Sequence, residues 1–282
     1  MANSIELSKS FVPLLDEVYK ENSLTDVLTS DKGLARAGAN ANEIEIPTLD
    51  MDGLSDYDKN AGYSTGSVTQ KWETLKYNYD RGKKFTVDSM DNEESANIAF
   101  GRLASEFVRT KVVPEADAFT FAKLCELAGL KVSTGANLAD GSKVMDAIKV
   151  AEDSMNDAEV SQENRYLFIT SSNLTAIQAL DTTKSRELLG NFAGIIRVPK
   201  GRFVTAIDLK DGGYAKNTGA KDINFMIVQK DAVIKYDKHV VSNIITPDAN
   251  QTADAWMLKY RKYGLVSVFK NKKNGIYVHF GA

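Results

Sequence analysis

The chain of 282 residues has few of the side chains from which catalytic and metal sites are usually built. It contains one cysteine, Cys125, and two histidines, His239 and His279, far apart in the sequence. One cysteine cannot form an intrachain disulfide, which fits a reducing compartment, and these three residues lack zinc-site spacing. No dinucleotide-binding or P-loop glycine motif is present, and no carboxylate pair is marked out for acid–base chemistry. We therefore expect no catalytic, cofactor-binding or metal site, and no enzyme.

Long apolar runs and a strong charge of either sign are also missing. No segment approaches 18 consecutive apolar residues, so no membrane span is expected, and residues 1–20 lack a signal-peptide pattern. The 35 basic and 38 acidic residues give a net charge of −3, so any contact with nucleic acid should be weak. The remaining composition, 43% hydrophobic and 26% charged, is typical of a globular chain with one or two domains.

The stretch 91–129 predicts a long amphipathic helix that could act as a strut. Asp91 and Glu94 have the capping-box spacing, Pro114 interrupts the pattern, and Gly129 is a natural stop. The apolar stripe, at intervals of three and four, consists of Ala96, Phe100, Leu103, Phe107, Ala118, Ala122 and Cys125. We expect this stripe to be buried and Arg102 to be exposed.

Residues 43–88 predict a long β-hairpin, because both ends of the stretch alternate between polar and apolar residues. Its middle, 50–70, is polar and too long for a tight turn. Four carboxylates cluster there, without the register of a calcium loop: Asp50, Asp52, Asp56 and Asp58. A two-stranded hairpin needs a surface to lie on. The preceding arm, 1–42, either packs on its own domain or crosses onto a neighbouring copy.

The region 130–245 has an α/β pattern. Asp140 can cap a helix, and Arg165–Thr170 is an apolar strand followed by Ser171, Ser172 and Asn173 as candidate caps of the next helix. Without a glycine-rich loop or a Walker lysine, this turn is interpreted as a simple α/β connection. Further strands are predicted at Phe192–Val198, Arg202–Leu209 and Ile223–Val228, with a loop at 210–221.

The C-terminal part, 246–282, is predicted to return to strands. Leu265–Phe269 and Ile276–Phe280 have strand patterns, and Asn271–Gly275 between them predicts a hairpin turn. The stretch is also basic. A solvated strand face explains this charge, and a contact with nucleic acid or an acidic neighbour is the alternative. The basic residues are Lys259, Arg261, Lys262, Lys270, Lys272 and Lys273.

The order of arm, polar-tipped hairpin, long helix, α/β region and final strands resembles the major capsid proteins of tailed bacteriophages, with the Hong Kong 97-type fold. The resemblance covers about residues 10–280, and the order carries it more than any single motif. The stretches that carry it are Arg81–Asp88, Met90–Asp91, Arg165–Thr170, Asp254–Gly264 and Lys273–His279.

The resemblance implies an α+β fold and a division of the chain into five parts. These are an N-terminal arm, 1–42; an extended β-hairpin loop, 43–90; a spine helix of the peripheral domain, 91–129; an axial domain, 130–245; and C-terminal strands of the peripheral domain, 246–282. Many relatives begin with a scaffolding region of about a hundred residues, whereas this chain has only a short arm before the hairpin.

The implied function is structural: a capsid subunit that self-assembles into an icosahedral phage head enclosing double-stranded DNA. Pentamers and hexamers of the chain would form the shell in the host bacterial cytoplasm, with scaffolding, portal and decoration proteins as further partners and no membrane or cofactor. Two alternatives remain open at this point. One is the shell of an encapsulin-type nanocompartment, and the other is an α/β enzyme with an unrecognised site.

Overall fold

The computed structural model shows an α+β fold and describes most of the chain. The described residues are 23–30, 36–37, 42–57, 59–60, 62–94, 102–133, 138 and 140–281. Most of the predicted arm, 1–42, lies outside them, as do Asp58 and the predicted helix residues Ala96 and Phe100.

The described residues form the following elements. The strands are β1 Arg36–Ala37, β2 Glu43–Met51, β3 Val68–Lys76, β4 Tyr79–Asp88, β5 Leu130–Ser133, β6 Arg165–Thr170, β7 Gly194–Val198, β8 Ile207–Lys210, β9 Gly213–Lys216, β10 Ile223–Gln229, β11 Val233–Ile245, β12 Ala255–Val268 and β13 Ile276–Phe280. The α-helices are α1 Ser89–Glu94, α2 Leu103–Phe107, α3 Val113–Leu127, α4 Gly141–Asp157, α5 Ser171–Ala179 and α6 Thr183–Gly190.

A five-stranded sheet in the order β5-β13-β10-β6-β7 lies at the centre of the body. Alternate residues of β6 point to opposite faces, so Leu167 packs with α4, α5 and α6 while Phe168 packs with α3. A strand covered on both faces has a continuous apolar sequence, and this pattern predicts β6 and β10 correctly. The predicted cap Asp140 is also confirmed, since its carboxylate accepts the Ser142 N–H at 3.3 Å. For α5 the cap position is Thr170, whose side chain makes no capping bond to the backbone, so Ser171, Ser172 and Asn173 are not its caps.

A second sheet has the order β11-β12-β4. The predicted C-terminal hairpin is wrong, because its two strands belong to different sheets. The segment Lys270–Gly275 is a 3₁₀ turn that carries the chain from β12 in this sheet to β13 in the five-stranded sheet. Ile276, Tyr277 and Val278 are all buried, so β13 belongs between two covered faces rather than beside β12. The predicted boundary at 245/246 therefore falls inside the β11–β12 hairpin, and the segment 246–282 is divided between two sheets.

The predicted hairpin 43–88 is also divided. Strands β2 and β3 pair along their full length, with β1 beside β2, whereas β4 pairs with β12 instead. The change of sheet occurs at Asn78, whose side chain donates to the Val266 carbonyl at 2.7 Å and accepts the Val266 N–H at 3.1 Å. The Asn78 side chain thus makes the two hydrogen bonds to β12 that the backbone of a paired strand would make. At this residue the chain leaves β3 and enters the second sheet as β4.

The long helix is present in the described residues, with irregularities that the pattern does not predict. Helix runs without a break from Leu103 to Leu127, including a π-helical turn at Val108–Val112. This wider turn directly precedes Pro114, so the proline does not end the helix. Gly129 lies two residues beyond the helix and is needed for close approach, because a Cβ there would lie 2.5 Å from Asn274 Oδ1.

The strands predicted on either side of Pro199 are only partly correct. The first begins at Gly194 rather than Phe192, and in the second only Ile207–Leu209 is strand. Phe203 and Val204 are buried although they lie between elements, which gives the stretch an alternating pattern without a continuous strand. Strand β8 pairs with β9, which lies in the segment predicted as a loop.

Candidate assembly surfaces

The base of the β2–β3 hairpin is fixed to its own subunit. Ile44 and Ile46 are buried against Ile234, Tyr236 and Leu265 of the second sheet. In an antiparallel pair, residues opposite each other share a face, so Leu75, the partner of Ile44, belongs to this same buried face. The hairpin therefore leaves the body from an apolar anchor on one of its two faces.

The distal half of the hairpin has its apolar residues on the other face. The opposed pairs Pro47/Trp72, Leu49/Gln70 and Met51/Val68 share that face, whereas the anchored face continues with polar pairs such as Thr48/Lys71. Trp72 is 40% exposed and Val68 is 70% exposed. We call Pro47, Leu49, Met51, Val68 and Trp72 the apolar stripe. Its exposure in a single copy is typical of an interaction surface.

The tip between the two strands has a closed neck and exposed apolar side chains. The Asp52 carboxylate accepts both the backbone N–H and the hydroxyl of Ser67 at 2.7 Å, and these bonds lower the pKa of Asp52. Beyond this neck, Leu54 is fully exposed, and Tyr57 and Tyr63 lie with ring centroids 5.0 Å apart. The tip is therefore polar in composition, as predicted, but it presents three large apolar side chains to solvent.

A groove runs between the helix and the second sheet. Its floor is apolar and half-buried, with Phe107 contacting the rings of Phe85 and Tyr260 at centroid distances of 4.8 and 5.8 Å. The groove encloses about 420 Å³ and is completed by Leu103, Val112 and the loop between β8 and β9. Leu103 and Phe107 were expected to be buried, but both are only half-buried because they line this groove. Arg102 is exposed, as predicted.

Arg81 on β4 links three elements that line the groove through hydrogen bonds to α3 and to β8. Its guanidinium donates to Glu115 on α3 at 2.7 and 3.3 Å and to the carbonyl of Lys210 on β8 at 2.6 Å. The hydrogen bond from Arg81 keeps Glu115 paired at a site where the carboxylate is buried. Tyr79 also donates to Glu115 at 3.2 Å, and burial together with this carboxylate raises the pKa of Tyr79.

Asp117 on α3 fixes the segment 23–30 of the predicted arm to the body. Its fully buried carboxylate accepts the Thr25 hydroxyl at 2.7 Å, the Leu24 N–H at 3.0 Å and Arg202 Nη1 at 3.0 Å. Lys235 donates to the Thr25 carbonyl at 2.8 Å, and burial lowers the pKa of Lys235. This part of the arm therefore packs on its own subunit.

The basic residues near the C-terminus are distributed over different surfaces. Lys259 is exposed directly opposite Lys84, and Arg261 pairs with Asp80 at 2.7 Å. Lys262 lies at the groove and pairs with Asp237 at 3.0 Å. These residues do not form one continuous basic site, which favours the solvated-face interpretation.

The described residues bring together no group of three metal-ligating side chains. His239 is exposed on β11, His279 is buried against Phe225, and Cys125 is buried on α3. Burial lowers the pKa of His279 and raises that of Cys125. Within the same residues, no helix is long and apolar enough to cross a membrane.

One motif was missed by the sequence reasoning. Gly62-Tyr-Ser-Thr-Gly66 has the G-x-S-x-G spacing of a nucleophile elbow. That elbow requires a sharp turn from a strand into a helix, whereas this segment lies in the exposed tip of the β2–β3 hairpin. The spacing therefore carries no hydrolase geometry here.

Solved structures of shell proteins are similar to this chain over most of its length. The mature capsid of bacteriophage PhiM1 gives a TM-score of 0.70 at 11% identity, covering 98% of this chain and 92% of that chain. The capsid of Myoviridae phage XM1 gives 0.62 at 11% identity and covers all of both chains. A virus-like particle from Pyrococcus furiosus gives 0.53 at 11% identity, covering 82% of this chain and 86% of that chain.

Sequence comparison adds nothing to this likeness: no family model matches the chain, and no curated protein sequence is detectably similar. The structural likeness, at these low identities, concerns the fold. It extends over the body, the helix and the hairpin together, since coverage reaches 98% or more for both phage capsids. The chain therefore has the α+β Hong Kong 97-type fold of bacteriophage capsid subunits, as its sequence predicts.

Proposed function

We propose that the chain is the major capsid protein of a tailed bacteriophage and assembles into an icosahedral head around double-stranded DNA. The main support for this proposal is the apolar stripe on the hairpin, whose opposite face is anchored on the second sheet at its base. A single copy exposes this stripe, and a second copy would cover it. The fold supports the same conclusion, and the role is structural rather than catalytic.

The parts of the subunit would have distinct positions in such a shell. The five-stranded sheet with α4, α5 and α6 corresponds to an axial domain. The second sheet and the long helix correspond to a peripheral domain, and the β2–β3 hairpin to the extended loop. This assignment differs from the sequence boundaries, because β11 joins the peripheral sheet and β13 joins the axial one.

The expected partners follow from the proposed capsid function. Copies of the chain would form pentamers and hexamers, with scaffolding, portal and decoration proteins as additional components of a virion assembled in bacterial cytoplasm. Contact with packaged DNA should be weak, nonspecific and strongly dependent on salt, because the net charge is −3 and several basic side chains are paired with carboxylates.

The apolar stripe provides the direct test. We expect Leu49→Ser combined with Trp72→Ser to abolish particle formation, because this change removes apolar area that only another copy would bury. The subunit should still fold, since both side chains are exposed. Electron microscopy and sedimentation of the purified protein, with and without scaffold, would measure assembly, and circular dichroism would measure folding.

A matched control lies on the same two strands. Thr48→Ser combined with Lys71→Ser changes one opposed pair on the other face of the hairpin and should leave particles intact. If the stripe variant forms normal particles, or if the wild-type chain remains monomeric at all concentrations and salts with its scaffold, the proposal is wrong.

The shell of a protein-filled nanocompartment is the second candidate. The likeness to the virus-like particle from Pyrococcus furiosus is the observation that favours it. That likeness has a lower TM-score and covers less of both chains than the likeness to the phage capsids. Gene neighbours separate the two: portal and large terminase genes indicate a phage, and a cargo gene indicates a compartment. An α/β enzyme is disfavoured if the pure protein elutes as a large particle.

A further inference from the structure

A buried lysine beneath the long helix has only neutral hydrogen-bond partners among the described residues. Lys235 on β11 is 8% exposed, and its ammonium group donates to the carbonyl and hydroxyl oxygens of Thr25 at 2.8 and 2.9 Å. Asp26 lies on the same segment but is exposed, so solvent screens its attraction for Lys235. Because a buried charge without a counter-charge is costly, burial lowers the pKa of Lys235. A counter-charge at this position would stabilise the ammonium form.

The carboxylates nearest to this lysine are already paired with other cations. Asp117 accepts from Arg202 at 3.0 Å, and Asp237 pairs with Lys262 at 3.0 Å. Together with Lys235, these groups carry three positive and two negative charges, a net charge of +1 by the count 3 − 2. The cluster therefore has one positive charge more than its own carboxylates neutralise.

A small cavity adjoins the same lysine. It encloses about 20 Å³ and is lined by Lys235, Asp237 and Lys262 together with mainly apolar groups of α3 and β12. This volume has room for one particle of about the size of a water molecule or a halide ion. An ammonium group has three N–H donors, and two of those of Lys235 are used by Thr25. The third N–H is available to a particle in the cavity.

We propose that this cavity binds one small monovalent anion, of halide size, as the counter-ion of Lys235. The anion compensates the net charge of +1 and accepts the third N–H of the ammonium group. Because Lys235 also holds Thr25, the bound anion strengthens the attachment of the segment 23–30 to the body. An anion as large as gluconate does not fit the volume. The site lies within one subunit, so the inference does not depend on the capsid function.

Replacing gluconate by chloride at constant ionic strength tests the site in solution. The melting temperature of the unassembled full-length chain should rise by about 2–4 °C and then level off, because chloride binds only the folded state. Lys235→Met should abolish this rise. Lys259→Met is the matched control, since it removes an exposed lysine of β12 and should keep the chloride dependence.

Two further measurements locate the effect and need only the wild-type chain. The Leu24 N–H bonds to Asp117 and the Ser30 N–H bonds to the Lys235 carbonyl, so hydrogen exchange of both amides should slow in chloride relative to gluconate. Crystals containing bromide should show an anomalous diffraction peak between Lys235 and Lys262. These two results decide the question even if Lys235→Met fails to fold.

Three results would overturn the proposal. A wild-type melting temperature that does not respond to chloride would mean that a water molecule or a neutral lysine accounts for the cavity. A bromide peak without a chloride effect in solution would show binding at crystal concentration only. A chloride effect that persists in Lys235→Met would place the anion elsewhere. Each of these results leaves the capsid proposal to its own test, because none of them measures particle formation.

Discussion

The five-stranded sheet and the β2–β3 hairpin place similar residues in opposite environments. In the sheet, Phe168 is fully buried, because α3 covers one face while α4, α5 and α6 cover the other. In the hairpin, Trp72 and Val68 are exposed, and the buried apolar contacts with the body that the described residues show lie at its base. The sheet buries its apolar side chains within one chain, whereas the distal hairpin keeps large apolar side chains exposed to solvent.

This difference separates folding from assembly in one molecule. Changes in the body should alter the free energy of unfolding of a single subunit, and changes in the distal hairpin should alter only the association of copies. The groove under the helix lies between these cases, because its aromatic floor is half-buried in one copy.

The largest loss is expected at the centre of the body. Phe121 is fully buried and contacts the rings of Phe168 and Phe203 edge-on at 5.3 and 5.0 Å. Phe121→Ala should lower the free energy of unfolding by about 3–5 kcal/mol through lost transfer energy and a cavity. Urea unfolding of the unassembled subunit would measure this. Val150→Ala on the exposed side of α4 is the control, and equal losses for both variants would contradict the burial of Phe121 between these rings.

The buried ion pair beneath the arm should contribute slightly less. Asp117→Ala removes the carboxylate that neutralises the buried Arg202, and about 3 kcal/mol should be lost. Adding Arg202→Met removes the buried guanidinium that has lost this carboxylate, so the double variant should be more stable than Asp117→Ala alone. Urea unfolding of both variants forms the cycle. Additive losses would show that the two side chains do not interact.

Phe107 sharpens the comparison, because it lies at the edge between the two regions. Its ring is half-buried in the groove, so Phe107→Ala should cost about 1–2 kcal/mol, less than for a fully buried aromatic residue. The measurement is the same unfolding experiment on the unassembled subunit. A loss as large as that of Phe121→Ala would mean that the groove is closed in solution.

The smallest effect on stability is expected in the tip. Replacing residues 55–69 with a short Gly-Ser linker should change the free energy of unfolding by less than about 0.5 kcal/mol, because those residues bury almost no apolar area. Particles should fail to form or should dissociate on dilution. Circular dichroism and melting curves test the first statement, and electron microscopy tests the second.

Either opposite result for the tip would be informative. Normal particles from the shortened chain would make the tip an ordinary loop. Loss of folding would place the tip in the subunit core, and the contrast between sheet and hairpin would then be wrong.

The sequence by itself determined the elements whose cause is local. Arg165–Thr170 and Ile223–Val228 are strands because continuous apolar runs suit a sheet covered on both faces, and Asp140 begins α4 through its own side chain. The polar tip of the hairpin was also predictable, since its composition cannot build a core. The helical period identified α3 and the turns before it.

Only the tertiary structure decided which strands pair and which helical residues line a groove. Strand patterns are alike whatever the partner, so β4 and β13 could not be assigned to their sheets from sequence. Asn78 redirects the chain through bonds to Val266, a residue 188 positions away. Leu103 and Phe107 have the spacing of core residues, yet the second sheet and the β8–β9 loop leave a groove above them. Such outcomes depend on contacts between distant segments, which no local pattern encodes.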